Sequence, residues 1–120
     1  MNFVLVAAGS AFGGVLRYLV SQGLAAQKGF PWATLSVNVV GSFLIGLLSG
    51  LIVRHCGGNG ESVRLFAVVG FCGGFTTFST FSNETFRLLE GSQWLAAVGY
   101  VGVSVLAGLA AVFLGYLISR

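Results

Sequence analysis

The chain has 120 residues and a mass of 12.5 kDa; 56% of its side chains are hydrophobic, 8% are charged, and its mean hydropathy is +0.94. Soluble domains carry about 25% charged residues, so this composition excludes a water-soluble fold, and the unbroken apolar runs exclude the alternating pattern of a transmembrane barrel. The net charge of +3 comes from basic residues scattered along the chain, which form no patch able to hold a nucleic acid.

A helical span needs about 20 apolar residues, so four spans with short connections fill the chain as a single transmembrane domain over residues 1–120. The expected fold class is an all-α membrane protein of four transmembrane helices. The N-terminus, MNFVLVAAGSAFGG, is apolar and rich in small residues but has no basic n-region, so no cleaved leader is expected.

The first span runs from about residue 2 to 25. Arg17 lies about 21 Å up this helix from Phe3, which places its charge near the far interface. The connection Gln27-Lys28-Gly29-Phe30 leads to Pro31, the only proline, suited to the first position of a helix because its missing N–H is not needed there. The second span covers about 31–53. The hydrophilic stretch 54–61 is the clearest loop and precedes a third segment over about 62–90. The fourth runs over about 93–118, with Trp94 and Tyr116 as interfacial anchors near its ends. Cys56 and Cys72 have no metal-ligand spacing and read as structural thiols.

The third segment is too long. As one helix its 29 residues would reach about 43 Å, against a hydrocarbon core of about 30 Å. Gly73-Gly74-Phe75-Thr76-Thr77 marks where it breaks, near 73–77, since Gly, Thr and Ser tolerate an interruption and can re-satisfy freed backbone groups. Broken helices at mid-depth are where channels and transporters present carbonyls and half-helix ends to ions.

Four spans put both termini on one side. Arg54, Arg64 and Arg120 then share that side, and Arg17, Lys28 and Arg87 lie opposite, so the positive-inside rule sets no orientation. Such a chain can insert both ways, and opposed copies can pair about a two-fold axis in the membrane plane. Four short helices also enclose no pathway while keeping close packing, which again points to an oligomer. Gly9-x-x-x-Gly13, Gly46-x-x-x-Gly50 and Gly70-x-x-x-Gly74 supply small-residue helix contacts.

No enzyme constellation is present: the sole histidine, His55, is in a loop, there is no Asp, and no nucleophile is paired with a base. Uncharged polarity stands out instead. Thr34, Asn38 and Ser42 recur at i, i+4, i+8 on one helix face, with Ser49 a heptad further, and Tyr100 and Ser104 form a second i, i+4 pair. Single hydroxyls also serve as interhelical glue, but the Asn38 amide is costly in hydrocarbon unless satisfied. Phe75, Phe78 and Phe81 recur every third residue among Thr76, Thr77, Ser79, Thr80 and Ser82. Phenyl rings have a positive edge, so rings presented edge-on beside Asn and hydroxyl donors form a weakly electropositive path suited to a small anion. Glu84, the one acid near this region, is expected closer to the interface and hydrogen-bonded.

Three stretches, Gly13-Gly-Val-Leu-Arg17-Tyr18, Thr34-Leu-Ser-Val-Asn38-Val-Val-Gly41 and Gly70-Phe-Cys-Gly-Gly-Phe-Thr-Thr-Phe-Ser-Thr-Phe-Ser82-Asn-Glu84, resemble the Fluc (CrcB) family of fluoride channels, over essentially all 120 residues. The resemblance implies an antiparallel, dual-topology homodimer in the cell inner membrane, with two fluoride pathways lined by both subunits. It places the pore asparagine at Asn38 and the aromatic box at Phe78 and Phe81. It extends the polar track over Thr34, Thr80, Tyr100 and Ser104, and puts Arg17 near the entrance. It further implies a structural sodium ion at the dimer interface, held by the backbone carbonyls of Gly73 and Thr76. One track position, a serine in some relatives, falls on Gly108. The implied activity is passive export of cytoplasmic fluoride, with fluoride, a second copy of the chain and the lipid bilayer as partners. The alternative of similar size is a small multidrug-type proton-coupled exporter, which uses a carboxylate in its first helix; here no acid precedes Glu61.

Overall fold

The computed structural model describes residues 1–23, 30–55 and 60–120. The expected readings on Lys28, Cys56 and the remainder of residues 24–29 and 56–59 lie outside the described residues. Helix α1 is Asn2–Gly23 and α2 is Trp32–His55. Helix α3, residues 61–75, runs through Glu61–Val63, a π-helical stretch Arg64–Cys72 and Gly73–Phe75; α4 is Phe78–Glu90 and α5 is Trp94–Ser119. Taken with α3 and α4 as the single span Glu61–Glu90, four helical segments are long and apolar enough to cross a membrane, and no strand occurs among the described residues. The chain is a multi-pass, all-helical membrane protein.

Helix α2 starts one residue after Pro31, whose carbonyl accepts from Leu35 N at 3.2 Å. It ends at His55, two residues later than the loop reading places it. Arg54 and His55 form its last turn, where basic side chains complement the negative end of the helix dipole.

The helices associate as two tight pairs, α1 with α3 and α2 with α5. Glycines make both possible. A Cβ on Gly9 would stand 2.8 Å from Phe71 N, and one on Gly74 2.6 Å from Ser10 O, so the small-residue patterns of α1 and α3 face each other. Across the other pair, a Cβ on Gly46 would lie 2.8 Å from Val112 C, and one on Gly115 2.7 Å from Leu47 N. With no hydrophobic force between helices in lipid, backbone approach of this kind supplies the van der Waals contact that holds a bundle together.

Helix α4 is tied to this frame through a cluster of Leu35, Leu88, Ala97 and Tyr100, with Phe30 and Phe81 packed against it. Large apolar side chains such as Phe3, Leu95, Leu106 and Leu109 face outward, as a lipid-facing exterior requires.

Between α3 and α4 the backbone is extended at two residues, Thr76 (φ −91°, ψ 159°) and Thr77 (φ −153°, ψ 128°). The neighbouring glycines, Gly73 and Gly74, remain helical. β-Branched threonines favour extended backbone, whereas Gly74 is held helical by its contact with Ser10.

Candidate functional site

The site is built where α2 passes the extended threonines. Asn38 Nδ2 donates to Thr77 O at 3.2 Å, and Thr77 N donates to Asn38 Oδ1 at 3.0 Å. One amide thus satisfies both backbone groups of a residue that has left the helix ladder. The second Nδ2 hydrogen of Asn38 remains available, since a primary amide carries two donors.

On the far side of the break, Thr77 Oγ1 accepts from Thr80 N at 3.3 Å and caps α4. On the near side, Thr76 Oγ1 donates to Cys72 O at 2.8 Å. Arg17 Nε reaches across from α1 to donate to Gly74 O at 3.2 Å, and Ser10 Oγ contacts Gly70 O at 3.4 Å. Because Thr77 N goes to Asn38, the carbonyl of Gly73 loses its i+4 donor.

A cavity of about 330 Å³ opens beside the break, lined by Asn38, Ser42, Thr76, Thr77, Phe78, Phe81 and Ser104 together with the apolar Ile45 and Val105. The Phe78 and Phe81 rings lie 6.0 Å apart at 44°. Phe78 is 78% exposed, so this wall of the cavity is incomplete within one chain. Ser104 Oγ is buried and has no hydrogen-bond partner among the described residues, an arrangement that disfavours an apolar filling and favours a polar one.

Of the residues expected at the site, Asn38, Phe78, Phe81 and Ser104 therefore meet in one cavity. Arg17, Thr34 and Thr80 meet in another, of about 10 Å³, which they line with Ser21, Val37 and Thr77; Thr77 borders both. Its size suits a single water or small ion. Arg17, expected near an entrance, is engaged through Nε at the break, and its terminal nitrogens have no protein partner among the described residues. Tyr100 lines neither cavity. It is fully buried, with its ring 5.0 Å from that of Phe81 and 5.4 Å from that of Phe30. Its hydroxyl makes a long 3.5 Å contact to Glu84 Oε1. Glu84 borders a third cavity, of about 370 Å³, with Phe30, Pro31, Arg87, Leu88, Gly91 and Gln93.

Thr77 and Ser42 are the contributors that sequence reasoning did not place in the site. The signals were there: Thr77 follows the double glycine, and Ser42 continues the i+4 stripe from Asn38.

A family model described as CrcB-like protein, Camphor Resistance (CrcB), matches residues 4–116. The chain belongs to the CrcB family. Its similarity to individual CrcB relatives is close and runs end to end. A protein of Agrobacterium fabrum is 47% identical over 123 residues, covering 100% of this chain and 97% of the relative. One of Rhizobium meliloti is 45% identical over 121 residues, covering 99% and 96%. One of Methylocella silvestris is 43% identical over 124 residues, covering 99% and 93%. All three relatives carry the name fluoride-specific ion channel FluC. The CrcB match takes in the break, its asparagine and both phenylalanines.

Proposed function

We propose that this protein is a passive, fluoride-selective channel of the bacterial inner membrane that lets cytoplasmic fluoride out and so limits its toxicity. The observation that carries this reading is the cavity at the break: an Asn38 amide held rigidly by Thr77, two phenyl rings and a buried, unpartnered serine, in a chain whose relatives are named for fluoride. The proton-coupled exporter is not favoured, and no catalytic chemistry is assigned.

Asn38 Nδ2 and the ring edges of Phe78 and Phe81 replace part of the hydration shell of the ion. They do so without fixed charge, so binding is strong enough to admit the ion and weak enough to release it. Ser104 on α5, and Thr34 and Thr80 across the break, extend the hydroxyl track on which the anion is passed, while Tyr100, buried against the Phe81 ring, joins that track only beyond the two cavities. The Arg17 guanidinium, held at the break by Gly74 O, raises the local anion concentration beside Thr34 and Thr80. A membrane potential of 100 mV contributes about 2.3 kcal/mol per charge, which drives the anion outward without ATP or proton coupling.

The working unit is an antiparallel homodimer of dual topology, with two pathways lined by both copies. The high exposure of Phe78 supports this, because a second chain completes the wall that one chain leaves open. The evenly divided basic residues support insertion in both orientations. A structural sodium ion at the dimer interface fits the residues present: the Gly73 carbonyl has lost its helical donor, Thr76 is extended, and carbonyl oxygens suit a hard cation. Gly73 and Thr76 of each copy would hold it, and its charge would offset converging carbonyl dipoles.

The test is efflux from liposomes containing the purified protein, with a potassium ionophore to remove the opposing potential and a fluoride electrode as readout. Rapid fluoride release with chloride retained is the expected result; retention of both ions in liposomes bearing folded protein contradicts the reading.

A further inference from the structure

We propose that Ser42 of α2 is an additional fluoride-coordinating residue, supplying from across the helix pair the hydroxyl that α5 lacks at Gly108. The proposal rests on the channel reading above and deepens it.

Helix α5 presents hydroxyls at Tyr100 and Ser104, spaced by four residues. The next position on that face is Gly108, where the stripe stops. A Cβ built on Gly108 meets a single neighbour, Ser42 Oγ at 3.6 Å. The Ser42 hydroxyl therefore stands about where a side chain at 108 would point. Ser42 also lines the 330 Å³ cavity with Asn38, Phe78, Phe81 and Ser104, one helical turn beyond Asn38 on the same face of α2.

The state of the hydroxyl supports a role toward a ligand. A serine within an apolar helix can turn back to the carbonyl four residues earlier, as Ser119 does here, donating to Gly115 O at 2.8 Å. Ser42 makes no such bond, and no hydrogen bond from its Oγ occurs among the described residues. Two cavity-lining serines, Ser42 and Ser104, thus have no hydrogen-bond partner among the described residues, while the walls beside them, Ile45 and Val105, are apolar. The buried Ser104 hydroxyl, left unsatisfied in such surroundings, is costly, and an anion passing between α2 and α5 offsets that cost by accepting from it and from Ser42. Gly108 has a complementary part: its missing side chain leaves the space into which the Ser42 hydroxyl projects.

The experiment compares fluoride efflux from liposomes for the unmodified chain, Ser42→Ala, Ser42→Thr, Gly108→Ser and the double variant Ser42→Ala/Gly108→Ser. Loss of one donor to an anion is expected to slow efflux about tenfold in Ser42→Ala. Ser42→Thr keeps the hydroxyl and retains most of the rate. The double variant, which returns a hydroxyl to the same space from the opposite helix, recovers most of it, whereas Gly108→Ser alone gives no gain. Ser42→Ala conducting at the unmodified rate overturns the proposal while leaving the channel reading intact. So does a loss that neither Ser42→Thr nor the double variant repairs, because that pattern is one of packing. Absence of fluoride efflux from the unmodified chain overturns the channel reading itself, and this proposal with it.

Discussion

Asn38 and Thr77 form a reciprocal pair, with the side-chain amide donating to the Thr77 carbonyl at 3.2 Å and accepting from the Thr77 amide at 3.0 Å. The asparagine therefore has two tasks that a substitution separates. Asn38→Asp keeps the acceptor for Thr77 N but removes the donor and places a negative charge in the anion path. It is expected to abolish fluoride flux in the liposome assay. Asn38→Ala orphans both Thr77 backbone groups, each worth about 1–3 kcal/mol when left unsatisfied, and is expected to lower the melting temperature in detergent as well as the flux.

The two phenylalanines are expected to respond differently. Phe78 is largely exposed within one chain, whereas the Phe81 ring packs 5.0 Å from Tyr100 against the buried cluster. Phe78→Ala should reduce flux with little effect on the fold of the single chain. Phe81→Ala should reduce flux and also destabilise by roughly 2 kcal/mol, less than the cost of a fully buried phenylalanine. Thermal unfolding measured beside efflux separates these effects.

Glycines at the two helix contacts are set apart from those facing open space. Gly46→Ala and Gly115→Ala force α2 and α5 apart, since the added Cβ would meet backbone of the opposite helix, and each is expected to cost about 1–3 kcal/mol by overpacking. A Cβ at Gly99 meets nothing within 4 Å. Gly99→Ala should be neutral or raise stability by up to about 1 kcal/mol through helix propensity. Melting curves of the three variants in one detergent check the contrast.

The turn after α4 carries a strained residue. Gln93 N donates to Leu88 O at 2.8 Å and Ser92 N to Leu89 O at 3.0 Å, the bonding of a Schellman cap whose left-handed position is normally glycine. Here that position is Ser92, with φ 60°, and Gly91 sits one residue too early to serve. Ser92→Gly is expected to stabilise by about 1 kcal/mol, with fluoride efflux unchanged.

The fold was legible where hydropathy and helix punctuation act alone. Four apolar runs, the helix opening next to Pro31 and a last helix expected from about residue 93, which begins at Trp94, follow from transfer energies and from proline's missing donor. Gly9, Gly13, Gly46, Gly70 and Gly74 were readable as contacts, but not that α1 meets α3 while α2 meets α5, because spacing within one helix does not name its partner. The π-helical stretch Arg64–Cys72 carries no mark in its apolar sequence. At the site, the polar stripe through Thr34, Asn38 and Ser42 could be read from its period of four. That Asn38 fastens Thr77, and that Arg17 binds Gly74 O, depends on contacts between residues far apart in the chain, which periodicity does not encode.

Selective conduction of fluoride is read from the current across a planar bilayer containing the purified protein, with fluoride on one side, chloride on the other and a common cation. The expected result is a reversal potential displaced far toward the fluoride equilibrium potential, with no current carried by chloride. A reversal near zero, or no current from folded protein in either orientation, would contradict it.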